Sequence, residues 1–341
     1  MLTSDAIKTR ALEIGFDLCG IAPAGALPEL GFLREWIDRG FAGTMQYMAR
    51  TADRRADVRS VLPSARSVIS LGTVYNVDRP YSTESADPSE ARIARYAWGT
   101  DYHQELGTRT ENLLEWMRGA GEDFEAKVYV DTGPVQERVY AQYAGLGWIG
   151  KNTCLINPQR GSWLFLSEIL CSLALEPDGP GFDQCGTCTL CLEACPTGAI
   201  VEPWVLDATR CLSYLTIELK ESIPESQRAD LRSHVFGCDI CQEVCPWNAT
   251  PARSADAAWL PRPALDRPTV LALWQRSDDE LDEMMQGTAL TRAGVTGLRR
   301  NLAVALGNSG DPRASNVLMQ YASGSNPLVD EHVEWALSRR S

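Results

Sequence analysis

The sequence predicts an α+β protein built in three parts, and three observations carry that reading. Residues 1–180 read as strands and helices that interleave without regular β-α alternation, which argues against a doubly wound sheet. Eight of the eleven cysteines crowd into residues 185–245. After a proline-rich stretch from Pro251 to Pro268, apolar residues return at helical spacing. The expected divisions are residues 1–180, 181–252 and 253–341.

At 341 residues, with 44% hydrophobic residues and ten tryptophans, the chain can bury two or three sizeable cores. A net charge of −13 speaks against a general nucleic-acid binder. The acidity lies before residue 251. Within 292–313, Arg292, Arg299, Arg300 and Arg313 face only Asp311, which reads as a solvated helix face or as a local basic patch. No apolar run is long enough to cross a bilayer, and MLTSDAIKTR lacks an apolar signal core, so a cytoplasmic protein with no membrane partner is expected.

In chain order, a helix is expected from Ser4 and another over 30–39, with Leu33, Trp36 and Ile37 on one face. Residues 16–22 read as a short strand in which Cys19 is a small buried hydrophobe. Arg50, Arg54, Arg55 and Arg59 form a solvated face or a receiver of phosphates or carboxylates. Residues 67–75 read as a buried strand, 103–118 as a helix, and 127–131 as a strand ending in the carboxylate of Asp131.

Pro134 suits the first turn of a helix continued by Val135, Val139 and Tyr143. That helix stops at Gly145-Leu-Gly-Trp-Ile-Gly150, which matches G-x-G-x-x-G. A dinucleotide fingerprint needs a strand before it and a helix after it. Here the order is reversed, so the glycines read as a helix stop and tight turn. Cys154 and Cys171 sit among apolar residues and read as core.

Residues 178–181 form a linker, and Asp207 can cap a helix carrying Cys211, Tyr214 and Leu215. Helices over 298–306, 314–321 and 329–337, separated by Asn-Ser-Gly-Asp-Pro and Ser-Gly-Ser-Asn-Pro, have a HEAT-like pattern. The array is short, so packing against the rest of the chain is expected.

The cysteine segment opens as Cys185-x2-Cys188-x2-Cys191-x3-Cys195-Pro, passes Cys211 and closes as Cys238-x2-Cys241-x3-Cys245-Pro. The opening run has the spacing by which bacterial ferredoxins hold cubane iron–sulfur clusters, with the cysteine before proline ligating the neighbouring cube. One 4Fe-4S cluster is assigned to Cys185, Cys188, Cys191 and Cys245, and a second to Cys195, Cys211, Cys238 and Cys241. A disulfide framework suits short secreted chains, and structural zinc fits this interlocked order poorly. Paired clusters move electrons singly, so the preceding domain should hold the acceptor. Three histidines, His103, His234 and His332, are too few and too scattered for a His-rich metal site.

Asp131-Thr-Gly-Pro-Val-Gln-Glu-Arg138 and Ala144-Gly-Leu-Gly-Trp-Ile-Gly-Lys-Asn152 resemble the epoxyqueuosine reductase family. So do the stretches 211–218, Gly237 to Asn248 with its Cys-Pro-Trp-Asn ending, and 298–308. The likeness covers nearly the whole chain and departs at the carboxyl end, where family members often run longer. It implies a cobalamin-binding α/β domain like that of reductive dehalogenases, with cobalamin held without a lower histidine ligand. A ferredoxin-like domain with two 4Fe-4S clusters and a HEAT-like helical segment would follow.

The implied activity is reduction of epoxyqueuosine to queuosine at the wobble position of tRNA, the last step of queuosine biosynthesis. Opening an epoxide and losing its oxygen as water takes two electrons and two protons. Asp131 matches the family's proton donor, and to serve it must be protonated at neutral pH, through burial or a negative neighbour. Arg54 or Arg55, Arg95, Tyr96, Asp131 and Ser213 fall where the family lines its cobalamin pocket. Lys220, Arg292, Arg299 and Arg300 are candidates for tRNA phosphates. The resemblance further implies a low-potential donor such as flavodoxin or ferredoxin, and a monomer. The rival readings are a cobalamin-dependent reductive dehalogenase and a ferredoxin-type carrier that binds no corrinoid.

Overall fold

The computed structural model describes residues 2–85, 87–321 and 326–339. Its centre is a four-stranded sheet of β1 (Leu18–Pro23), β2 (Ser67–Val74), β3 (Ala126–Tyr129) and β4 (Leu164–Cys171), in the order β1-β2-β4-β3. Every pairing is antiparallel, as the irregular alternation of elements predicts. Every residue of β2 is buried, so Ser-Val-Ile-Ser-Leu-Gly-Thr-Val carries apolar side chains to both faces of the sheet.

Helices Ser4–Ile14 and Tyr102–Gly119 cover one face, packing Ile7, Leu113 and Met117 onto Ile69, Leu71 and Ile169. Thr3 caps the first by accepting from the Ala6 N–H, and Gly15 ends it at a left-handed φ of 107°. The short helix Glu137–Tyr143 covers the other face, setting Val139, Tyr140 and Ala141 against Val68, Leu166 and Leu170.

That helix begins after the position Pro134 suggests. The Gln136 amide donates to the carbonyls of Leu30 (3.0 Å) and Arg55 (3.1 Å), while the Val135 carbonyl accepts from Arg55 Nη1 (3.0 Å). These tertiary bonds hold 134–136 in a loop. Gly145 then turns at φ 74°, and Trp148–Ile149 pairs with Leu155–Ile156 in a hairpin. A Cβ on Gly147 would lie 2.1 Å from the Ile156 carbonyl oxygen, so close strand approach explains the glycine.

A third core crosses the expected boundary near residue 253. It joins Ala91, Ile93 and Ala97 to Leu212, Leu215 and Phe236, and all of these to helices Gly294–Asn308 and Pro327–Ser338. Ala314–Met319 lies between those helices, and Asn326 caps the last by accepting from the Leu328 N–H. Residues 323–325 of the second expected separator lie outside the described residues. Leu302 is fully buried in this core, where truncation to alanine would cost about 2–5 kcal/mol. Among the described residues, no helix is long and apolar enough to cross a membrane.

Candidate active site between the sheet and the cysteine segment

The fold brings the eight cysteines to one side of the sheet domain, within charge-interaction range of one another, although among the described residues no three are drawn together tightly enough to hold a metal ion. Cys191 lies within charge-interaction range of Cys185 and Cys188, and Cys245 within range of Cys185 and Cys191. Cys238 senses Cys211 and Cys195, and Cys241 senses Cys238 and Cys211. Burial pushes the Cys191, Cys211, Cys238 and Cys245 thiols above their ordinary pKa, the last to about 11. Metal binding must overcome that proton affinity. Eight thiols in this order suit two cubane clusters as a donor set.

The Gly-Lys-Asn segment that ends the glycine turn clamps both cysteine loops. Lys151 is buried and donates from Nζ to the carbonyls of Gly186 (2.6 Å) and Cys188 (2.9 Å). Asn152 donates to the Cys241 carbonyl (3.1 Å). Cys154, expected in the core, is only half-buried and its thiol hydrogen-bonds with Cys241. That bond lowers its pKa to about 7. The apolar neighbours in sequence hid a contact set by the hairpin's fold-back.

A cavity of about 1260 Å³ opens between helix Glu137–Tyr143, the loop before it and the cysteine segment. It exceeds the usual range of small-ligand pockets. Asp131, Tyr96, Arg55 and Ser213 line it, as does the cluster cysteine Cys211. Immediately beyond Ser213, Tyr214–Glu218 forms a π-turn, with the Leu219 N–H donating to the Tyr214 carbonyl (2.9 Å). Asp207 caps only the short 3-10 turn Ala208–Arg210, so Cys211 precedes the helical element instead of riding on it. The walls combine aromatic and apolar side chains (Tyr47, Tyr102, Val135, Ile217) with a polar periphery. This suits a large flat ligand edged with amides, as a corrinoid is.

Three expected pocket or phosphate residues do not belong there. Arg95 is 3% exposed and donates to Asn76 Oδ1 and to the carbonyls of Val77, Arg79 and Pro80. Its guanidinium also sits over the rings of Tyr81 and Trp98. It braces the loop after β2 and does not line the cavity. Arg299 is buried on Asp278 and the carbonyls of Trp274 and Arg276. Arg300 is fully buried, donating to the carbonyls of Leu215 (2.6 Å), Leu219 (2.7 Å) and Glu221 (2.7 Å). Both arginines pin main chain and cannot reach a phosphate. Arg54 is exposed and does not line the cavity, whereas its neighbour Arg55 does. Lys220 is exposed outside the cavity lining, its ammonium donating to the carbonyls of Ile217 (2.9 Å) and Arg292, while Arg292 lines the cavity, ion-paired to Glu218 at 2.8 Å.

Asp131 departs from expectation in its charge. Its backbone is left-handed at φ 54°, aiming the carboxylate at the cavity, and 57% of the side chain is accessible there. Surrounding protein pushes its pKa up. Hydrogen bonds from His103 and Tyr102 and the charge of His103 outweigh that, so the net shift is downward. The His103 pKa is raised: burial opposes, and bonds to Asp131 (Nε2 to Oδ2, 3.3 Å) and Asp101 (Nδ1 to Oδ1, 2.7 Å) prevail. In the free chain the transferable proton therefore rests on the His103 side of the pair. His103 lies 28 residues from Asp131, and its lack of metal-site spacing concealed this role.

A family model described as 4Fe-4S double cluster binding domain matches residues 184–248. Another, described as Epoxyqueuosine reductase QueG, DUF1730, matches residues 55–132. The epoxyqueuosine reductase of Gloeobacter violaceus is 44% identical over 92% of this chain and 98% of its own. That of Salmonella typhimurium is 38% identical over 98% of this chain and 87% of its own. A solved epoxyqueuosine reductase from Bacillus subtilis, with its catalytic aspartate loop swung out of the active site, superposes with a TM-score of 0.89. It is 28% identical and covers 98% of this chain and 89% of that one. Another, holding an epoxyqueuosine-modified tRNA-Tyr stem loop, superposes with a TM-score of 0.86 at 29% identity and the same coverage. On identity spanning nearly its whole length, the chain belongs to the epoxyqueuosine reductase family.

Proposed function

We propose that this chain reduces the epoxide of epoxyqueuosine, at the wobble position of tRNA, to the alkene of queuosine. Cobalamin would occupy the cavity, and electrons would arrive through the two 4Fe-4S clusters. The supporting observation is that the Asp131–His103 pair and the cluster cysteine Cys211 open onto one cavity. Bound cobalamin supplies, once reduced, the low-potential electron pair that epoxide cleavage needs.

The chain's own residues do the rest. Cys211 brings the second cluster to the cavity wall, while Arg55, Tyr96 and Ser213 shape the pocket. His103 holds a proton against Asp131, and Asp131 delivers it to the oxygen leaving the epoxide. Lys220 and Arg292 meet phosphates of the anticodon arm at the cavity mouth, a reading supported by the relative that holds a modified stem loop. The division of labour follows residues 1–180 for cobalamin, 181–252 for the clusters and 253–341 for the helical support. The protein acts as a cytoplasmic monomer fed by a low-potential flavodoxin or ferredoxin.

The test is anaerobic reduction of epoxyqueuosine-bearing tRNA by chain reconstituted with iron, sulfide and cobalamin. Mass spectrometry of the released nucleoside should show loss of one oxygen. Halide release from an organohalide with unchanged tRNA would favour a dehalogenase. Absence of stoichiometric corrinoid would favour an electron carrier.

A further inference from the structure

We propose that Glu137 and Glu168 share one proton beside Asp131, and that this is the second of the two protons consumed per epoxide. The inference rests on the proposed reduction for its role, and for its existence on the burial and placement of Glu168 together with its electrostatic coupling to Glu137. Glu168 sits mid-strand in β4, paired with Ser70 of β2 and Tyr129 of β3, on the face covered by helix Glu137–Tyr143. It is 0% exposed, and among the described residues neither carboxyl oxygen meets a donor. The Ser70 hydroxyl on the paired strand is likewise buried and without a partner. What faces Glu168 within hydrogen-bonding reach is the Glu137 carboxyl.

Two acceptor-only carboxylates in contact gain a hydrogen bond only when one carries a proton. The other charged groups nearby do not replace that proton. Asp131 adds negative charge, exposed Arg138 donates to the Thr153 carbonyl, and Arg55 is engaged by Thr51 and the Val135 carbonyl. Burial first, and Asp131 next, push Glu137 up to about 7, and burial with Glu137 pushes Glu168 up further.

Glu137 lines the cavity and accepts from the Asp131 N–H, so the pair lies directly behind the acid. The balance is epoxide plus two electrons plus two protons giving alkene plus water. One proton leaves the His103–Asp131 pair and one the Glu137–Glu168 pair, both C–O bonds break, and solvent recharges both pairs. Glu168 is a positioning residue that acts through Glu137.

The test uses the cluster-loaded chain at neutral pH. Infrared spectroscopy should show a protonated-carboxyl carbonyl band that disappears in Glu168→Gln and in Glu137→Gln. A proton bound only in the folded state makes stability fall as pH rises. Between the ordinary glutamate value of 4.5 and about 7, the folding equilibrium should weaken by up to about tenfold per pH unit, and Glu168→Gln should flatten this. Single-turnover deoxygenation should slow by roughly 10²-fold in Glu168→Gln at neutral pH, with the His103 titration unchanged. Asp239, pushed up to about 7 by burial, contributes a band common to all three proteins, so a wild-type-minus-variant difference spectrum with no lost protonated-carboxyl band in either variant overturns the proposal. A chain inactive on epoxyqueuosine tRNA that keeps the band and the pH slope would sink the assigned reaction and leave the shared proton standing.

Discussion

Asp131→Asn separates proton delivery from folding, and the histidine count makes it readable. Burial lowers the pKa of His234 and His332 to about 4, whereas that of His103 is raised, so its titration stands apart from theirs. The substitution would keep the side chain's size but remove the anion 3.3 Å from His103 Nε2. The His103 midpoint should fall, while Asp101 at 2.7 Å holds the ring in place. A charge-assisted hydrogen bond is worth about 1.5–3 kcal/mol when shielded. With 57% of the Asp131 side chain accessible, about 1 kcal/mol of stability is at stake.

The sign of that contribution is fixed by both partners. His103, raised, loses its share as pH climbs through its folded value, and Asp131, lowered, loses its share as pH drops through its own. The contribution is therefore full only between the carboxylate and imidazole ranges. Turnover should fall by roughly 10²–10⁴-fold, far more than a 1 kcal/mol loss of stability would produce. Imidazole NMR titration and single-turnover reduction of epoxyqueuosine tRNA by pre-reduced variant are the two measurements. A fully loaded variant with near-normal rates, or an unmoved His103 midpoint, would refute the reasoning.

Three further outcomes are expected. Reconstituted chain should hold about eight irons with matching sulfide; Cys191→Ser should damage one cluster and Cys211→Ser the other, and full loading at four irons would count against the assignment. Arg300→Met strips charged donors from three carbonyls, those of Leu215 and Leu219 buried, and should cost about 2–5 kcal/mol in unfolding measurements while leaving the salt slope of tRNA binding intact. Replacing Lys220 and Arg292 together by Ala should instead flatten that salt slope by about two, and an unaltered slope would return both residues to a purely structural role.

The double-cluster segment was legible because cluster ligation is a local rule of spacing. The antiparallel sheet was legible from apolar runs too irregularly placed for crossover units. Charge states were not. Arg95, Arg299 and Arg300 look like surface arginines until carbonyls from Val77 to Pro80, from Trp274 and Arg276, or from Leu215 to Glu221 are folded onto them. Asp131 looks like an acid needing its own proton until His103 arrives from another element. Glu168 sits in a strand buried on both faces, and nothing local reveals which carboxyl it meets.

The hold of Arg300 on the π-turn also bears on how the protein is made. Cys185, Cys188, Cys191 and Cys245 have all left the ribosome before residue 294 is synthesised, so one cluster can be completed on the nascent chain. Cys211 leads straight into a turn whose carbonyls wait for a side chain almost ninety residues downstream. The contacts of Thr44 with Tyr214 and of Gly237 with Thr216 hold that segment from one side, and its carbonyls gain their last donors only when the carboxyl-terminal helix docks.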